Sequence, residues 1–123
     1  MTLRRTVNFP RRGEVWIVNL DPAVGSEIRK TRPAVVMQNN IANQHSPVTI
    51  IAAITSRKNG ATYPTEVAVR RGEGGLEKDS LVLLNQIRTV DKQRLVQKLG
   101  TFRQETMERV AQAMAISLGL VEI

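Results

Sequence analysis

Between Gly25 and Pro33 the chain reads Gly-Ser-Glu-Ile-Arg-Lys-Thr-Arg-Pro. This stretch brings together a hydroxyl (Ser26), a carboxylate (Glu27) and the cations Arg29, Lys30 and Arg32. A hydroxyl can hydrogen-bond a phosphate oxygen, and a guanidinium offers a planar fork that pairs with two of them. A carboxylate can hold a water or take a proton. The set suits recognition of a phosphodiester better than a plain chain reversal. The connection is also long. Apolar runs at 15–20 and 34–37 bracket a polar stretch from Asp21 to Arg32, whereas hairpin connections usually take about 2–5 residues and longer ones often carry function.

The residue inventory removes other chemistries. There is no cysteine, so a disulfide framework and a thiol nucleophile are excluded. His45 is the only histidine, in a polar loop at 39–47, so a two-histidine acid–base pair within one chain is impossible. A Ser-His-Asp triad lacks its nucleophile-elbow motif. Carboxylates do not cluster as metal ligands would, and Glu77 and Asp79 read as solvated turn residues, so no metal and no cofactor are expected. The glycine-rich run starting at Arg71 lacks the Lys-Ser/Thr ending of a phosphate-binding loop and reads as a turn. Cleavage of RNA by its own 2′-hydroxyl needs neither a protein nucleophile nor a metal. The site must align the 2′-oxygen with phosphorus, move two protons and stabilise extra charge on the phosphate.

The composition is compatible with that reading. With 18 basic and 11 acidic residues the net charge is +7, which fits a polyanionic partner, although solubility alone would also account for it. A chain of 123 residues suits one domain with one core. At 3% aromatic residues, that core must be aliphatic, and a platform binding single strands by base stacking alone is disfavoured. No apolar run approaches the ~18 residues of a membrane span. The basic start MTLRRTVNFPRRG has no apolar signal core, so a cytoplasmic location is expected.

The elements that would position these residues are mostly strands. Val15-Trp16-Ile17-Val18 is β-branched and aromatic, and Pro33 opens a second strand at Ala34–Met37. In a third strand, Val48–Thr55, the period of two places Thr49, Ile51, Ala53 and Thr55 on one face. Thr65–Arg70 alternates with Val67 and Val69 inward. Ser80–Arg88 predicts a fifth strand with Val82, Leu84, Gln86 and Arg88 on one face, and 95–99 a sixth. Thr101 to Gln104 has the form of a capping box. Met107, Val110, Ala111, Met114 and Leu118 then form a helical stripe that Gly119 can end. Residues 1–11 read as a loose basic arm ahead of a single domain at 12–123. The fold class is mainly β with a C-terminal helix, a strongly bent antiparallel barrel or half-barrel.

Several motifs, in order and in register from Arg12 to Leu120, resemble the MazF/PemK family of toxin endoribonucleases. They are Gly13-Glu14-Val15-Trp16, the D-P-x-x-G-S-E run from Asp21 to Glu27, the pair Arg32-Pro33, and Gln86 to Thr89. The resemblance implies a small SH3-like, CcdB-like barrel of five to seven strands. It implies sequence-specific, metal-independent cleavage of single-stranded RNA (mRNA), leaving a 2′,3′-cyclic phosphate and a 5′-hydroxyl. It also implies a homodimer and a MazE-like antitoxin with an acidic, disordered tail. The family's catalytic pair falls on Arg32 and Thr55, and its loop Ser and Glu and its late Gln fall on Ser26, Glu27 and Gln86. One subgroup carries His at the position of Ser26 and Asp at that of Asn85. This chain has neither, so the Arg–Thr chemistry is expected.

An arginine with a pKa above about 12 makes a poor base. Arg32 is therefore expected to stabilise the phosphorane and donate a proton, with Glu27 or a water it holds as the acceptor. Arg88, Arg29 and Lys30 are added as substrate contacts, the last two steering RNA or holding the antitoxin tail. The alternative on the same fold is a non-catalytic toxin that binds and poisons DNA gyrase. Such a binder has no need of Arg32 and Thr55 together.

Overall fold

The computed structural model describes residues 9–27, 30–57, 59–61 and 63–122. Its strands are β1 (Glu14–Asn19), β2 (Thr31–Val36), β3 (Val48–Ser56), β4 (Glu66–Val69), β5 (Ser80–Asp91) and β6 (Leu95–Thr101). They form one six-stranded antiparallel sheet in the order β4-β5-β3-β2-β1-β6. Helix α1 (Asn40–His45) lies between β2 and β3, and α2 (Gln104–Ser117) follows β6. Among the described residues, no helix is long and apolar enough to cross a membrane.

Alternation along the strands supplies both faces of the sheet with apolar side chains. One face carries Val15, Val35, Ala52, Ile54, Val82 and Leu84, and α2 covers it with Val110 and Ala113. The other face gathers Val18, Leu20, Ala34, Val36, Ile51, Ala53 and Val90. Leu20, just after β1, and Val90 of β5 share this second cluster although β2 and β3 lie between their strands. The sheet must therefore curl sharply over that face. Arg88 Nη1 spans the curl and donates to the Leu20 carbonyl at 2.7 Å. Among the described residues β4 and β6 do not pair with each other, so the sheet curls without closing into a complete barrel.

Three expectations change. The stretch 39–47 is not all loop: α1 forms there, and the Asn39 side chain accepts from the Ala42 N–H. Along β5, Ile87 pairs with Ala52 but Leu83 with Ala53, leaving Leu84, Asn85 and Gln86 in a bulge. The bulge shifts the alternation, so Leu84 joins the α2 side while Arg88 reaches the opposite one. The expected common face of Val82 to Arg88 thus breaks after Leu84. Finally, Thr101 ends β6, and the N-cap of α2 is Arg103, which makes no side-chain capping bond. The Glu73 carboxylate accepts from the Arg103 N–H at 3.1 Å. The buried residues of α2 are Thr106, Val110 and Ala113, with Met107 and Met114 packed alongside. Leu118 lies exposed beyond the helix end. Gly119 does close the helix, at φ 73° and with its N–H on the Ile116 carbonyl.

Two polar groups are built into this framework. Asn43 of α1 is fully buried. Its Oδ1 accepts from Gln38 Nε2 at 2.9 Å and Thr49 Oγ1 at 2.7 Å, and its Nδ2 donates to the Gln38 carbonyl at 2.8 Å. Asn43→Ala strands the buried Thr49 hydroxyl and opens a hole beside the half-buried Gln38, so it is expected to cost roughly 2–4 kcal/mol in urea or thermal unfolding.

The buried Glu14 accepts from the Arg11 N–H at 3.0 Å and the Trp16 indole at 2.9 Å, and pairs with Lys98 at 3.1 Å. Burial pushes its pKa up. The hydrogen bonds from Arg11, Trp16 and Lys98, with the Lys98 charge, outweigh that and hold the carboxyl below the ordinary 4.5. Its contribution to stability is therefore present above the unfolded-state pKa and is lost as pH falls below 4.5 through the lower folded value. Glu14→Gln should flatten the fall of unfolding free energy across that acid window.

Candidate active site

The site begins where β2 and β3 separate. These strands pair from Ala34–Ala53 to Val36–Ile51, and the same register continued two residues outward would set Arg32 opposite Thr55. Instead the β2–β3 ladder stops, while β2 goes on pairing with β1 through Pro33–Ile17 and Arg32–Val18. Pro33 brings no N–H to a ladder. A cavity of about 290 Å³ lies at the split. Arg32, Thr55, Ser56, Glu77, Lys78 and Ser80 contribute its polar lining, two cations against one carboxylate, with Ile17, Ile54 and Leu99 among its apolar walls. Arg32 and Thr55 are both half-buried.

A second cavity of about 480 Å³ is lined by Ser26, Glu27, Asn85, Gln86 and Arg88 over the floor residues Ile51 and Ala53. Ala53 of this cavity and Thr55 of the first are alternate residues on β3, about 7 Å apart along the strand. The two cavities therefore neighbour each other along one strand. Gln86 reaches its cavity from within the β5 bulge. Of the expected site residues, Arg32 and Thr55 thus share one cavity, and Ser26, Glu27, Gln86 and Arg88 share the other.

The long β1–β2 loop is anchored at its root. Leu20 N–H donates to the Lys30 carbonyl at 3.1 Å, and Lys30 N–H to Asp21 Oδ1 at 2.9 Å. Arg88 holds the Leu20 carbonyl and Arg94 the Asn19 carbonyl. At the tip, Glu27 Oε1 accepts from the Val24 N–H at 2.7 Å while the Glu27 N–H returns to the Val24 carbonyl at 3.1 Å. This reciprocal turn displays Ser26 and Glu27 at the surface. Lys30 closes the loop with its backbone at φ 72°. Arg29 lies outside the described residues, as do residues 1–8 of the basic arm.

Lys78 and Ser56 are additions that the sequence did not single out. Ser56 extends the strand beyond Thr55. Lys78 sits in a turn whose charges look solvated in isolation, and long-range packing of the 3₁₀ turn Glu73–Gly75 beside β6 brings it to the cavity. Among the described residues, no three His, Cys, Asp or Glu side chains gather as a metal site would require. The lining can pair with a phosphate through the Arg32 guanidinium and the Thr55 hydroxyl, with the Lys78 ammonium as a further donor.

Residues 11–118 match the sequence pattern of the PemK-like, MazF-like toxins of type II toxin–antitoxin systems. The chain is 46% identical over 112 residues to Endoribonuclease EndoA of Bacillus subtilis (strain 168), a match covering 91% of this chain and 97% of that protein. Among solved structures it resembles an endoribonuclease from mycobacterial species in complex with its cognate antitoxin. That match has a TM-score of 0.76 and 27% identity, and covers 93% of this chain and 99% of the other. It also resembles MazF from Deinococcus radiodurans, with a TM-score of 0.78 and 25% identity over 92% of this chain and 99% of that one.

Proposed function

Because the chain belongs to the PemK-like, MazF-like family of type II toxins, we infer that it is an endoribonuclease that cuts single-stranded RNA at the split between β2 and β3. The observation that carries this reading is that Arg32 and Thr55 line one cavity at the point where their strands part. The relatives named endoribonuclease weigh for it over the gyrase-binding reading.

The RNA 2′-oxygen attacks the adjacent phosphorus, and the bond from phosphorus to the 5′-oxygen breaks. The products are a 2′,3′-cyclic phosphate and a 5′-hydroxyl, without a metal. The Arg32 guanidinium stabilises the phosphorane oxygens with its planar fork, donates the leaving-group proton to the 5′-oxygen, and regains a proton from solvent. The Thr55 hydroxyl donates to a non-bridging oxygen. Glu27 borders the adjoining cavity, so it takes the 2′ proton through a water rather than directly. Ser26, Gln86 and Arg88 hold flanking nucleotides, with Arg88 also pinning the loop root. Arg29 and Lys30 steer RNA or receive the acidic tail of a MazE-like antitoxin. The working unit is a homodimer acting in the cytoplasm, with residues 12–123 as its domain and residues 1–11 as an arm.

Incubating the purified protein with single-stranded RNA in EDTA tests this directly. Fragments with cyclic-phosphate 3′ ends and free 5′-hydroxyls are expected. RNA left intact across varied sequences, or cleavage only after adding a divalent metal, would contradict it.

A further inference from the structure

A third cavity, of about 360 Å³, lies on the far side of Ser80. Its charged lining is Arg57, Arg70, Arg103 and Arg109 with Glu73 and Asp79. Both acids are already engaged. Glu73 pairs with Arg103 at 3.4 Å, and Asp79 Oδ1 accepts from the Arg71 N–H at 2.8 Å. Arg109 gives one guanidinium N–H to the Ala68 carbonyl at 3.1 Å, which leaves its other donors. The guanidinium groups of Arg57 and Arg70, both exposed, have no ion-pair or hydrogen-bond partner among the described residues. The lining thus presents more cationic donors than its own carboxylates use.

The position of the cavity points to its ligand. Ser80 borders both it and the Arg32–Thr55 cavity, and Arg57 follows directly on Ser56 of the latter. A strand whose scissile phosphate sits between Arg32 and Thr55 can run on past Ser80 into this space. We propose that the Arg57–Arg70–Arg103–Arg109 cavity is a phosphate subsite for the flanking backbone of a single-stranded RNA substrate, a proposal that rests on the chain being an RNA-cleaving enzyme. Arginine forks match phosphate oxygens bidentately, and such pairings fix a strand without reading its bases. An acidic peptide is the weaker fit. Apart from Ala68 and Val69 the lining offers no apolar anchor, and anchors of that kind carry most peptide affinity.

The test uses the full chain carrying Arg57→Gln and Arg70→Gln together, with Arg70→Gln alone as a second variant should the pair fail to fold. Two RNAs share one cleavage sequence: the shortest oligonucleotide that is cut, and the same sequence with long flanks. The variant is expected to cut the short RNA as the wild type does. On the long RNA its KM should rise roughly 10-fold at low salt, and the slope of log affinity against log salt should fall by about 0.7 for each phosphate that the variant no longer neutralises. Binding of long 2′-O-methyl RNA, which cannot attack itself, reads the subsite separately, so a wild type that cuts nothing would sink the cleavage reading without deciding this one. Equal losses on both RNAs, or an unchanged salt slope, would overturn the subsite. So would a loss confined to an acidic antitoxin peptide, with long RNA held as before.

Discussion

Arg32→Ala is expected to lower the single-turnover rate of RNA cleavage by roughly 10²-fold or more, the usual loss when one donor to a transition-state oxyanion is removed. The side chain is half-buried where β2 parts from β3 and lines the cavity with Thr55. In the ground state a phosphodiester carries one negative charge. As the 2′-oxygen adds, charge grows on the non-bridging oxygens, and a fixed guanidinium gains more from the transition state than from bound RNA. The loss should therefore appear in the chemical step more than in RNA affinity. Arg32→Lys keeps the charge but loses the fork, so it should recover only part of the rate. Thermal unfolding of both variants, run alongside, separates a lost catalytic contact from a lost fold, since the half-buried Arg32 side chain also packs at the cavity. An Arg32→Ala protein that cleaves at the wild-type rate would remove Arg32 from the mechanism.

Gly75→Ala is expected to be the most damaging small substitution for the fold. Gly75 has φ 76°, and a Cβ there would lie 2.1 Å from the Leu99 carbonyl oxygen. The left-handed backbone costs a residue with a Cβ about 1–2 kcal/mol, and forced overpacking commonly adds about 1–3 kcal/mol. The atom in the way is backbone of β6 and cannot rotate aside. The sum should lower Tm by roughly 10 °C or more in thermal unfolding. Because Gly75, Leu76, Lys78 and Leu99 all line the Arg32–Thr55 cavity, whatever Gly75→Ala protein does fold should also cleave RNA more slowly. Gly72→Ala makes a useful contrast. A Cβ at Gly72 meets nothing within 4 Å despite φ 99°, so only the backbone cost applies.

The residues themselves show what could be read in advance. The β-branched runs at Val15, Ala34 and Val48 specify strands because alternation is a local property, and the mainly β fold with its late helix follows from them. The placement of Thr49, Ile51, Ala53 and Thr55 on one face has the same origin: Ile51 and Ala53 lie in the curled core, and Thr55 emerges at its edge. Motif resemblance singles out Arg32 and Thr55 as candidates, but their shared cavity depends on the β2–β3 register, which no local pattern encodes. Gln86 and Arg88 show the limit in another way. A period-two reading carried past Leu84 ignores the bulge, and the bulge is what turns these residues toward the loop. Helix α1 escaped because its inward residue is Asn43, a polar anchor satisfied by Gln38 and Thr49, and hydrophobic periodicity is blind to such an anchor. Lys78 escaped because only packing of the 3₁₀ turn beside β6 brings it to the cavity.

The central claim is that Arg32 and Thr55 act together on one phosphate, and a double-mutant cycle on cleavage measures that. Single-turnover rates are compared for wild type, Arg32→Ala, Thr55→Val and the double variant on one RNA in EDTA. Groups acting on the same phosphorane should be strongly non-additive, with the double variant about as slow as the worse single one. Losses that simply multiply, or a Thr55→Val protein as fast as wild type, would contradict a shared catalytic site at the β2–β3 split.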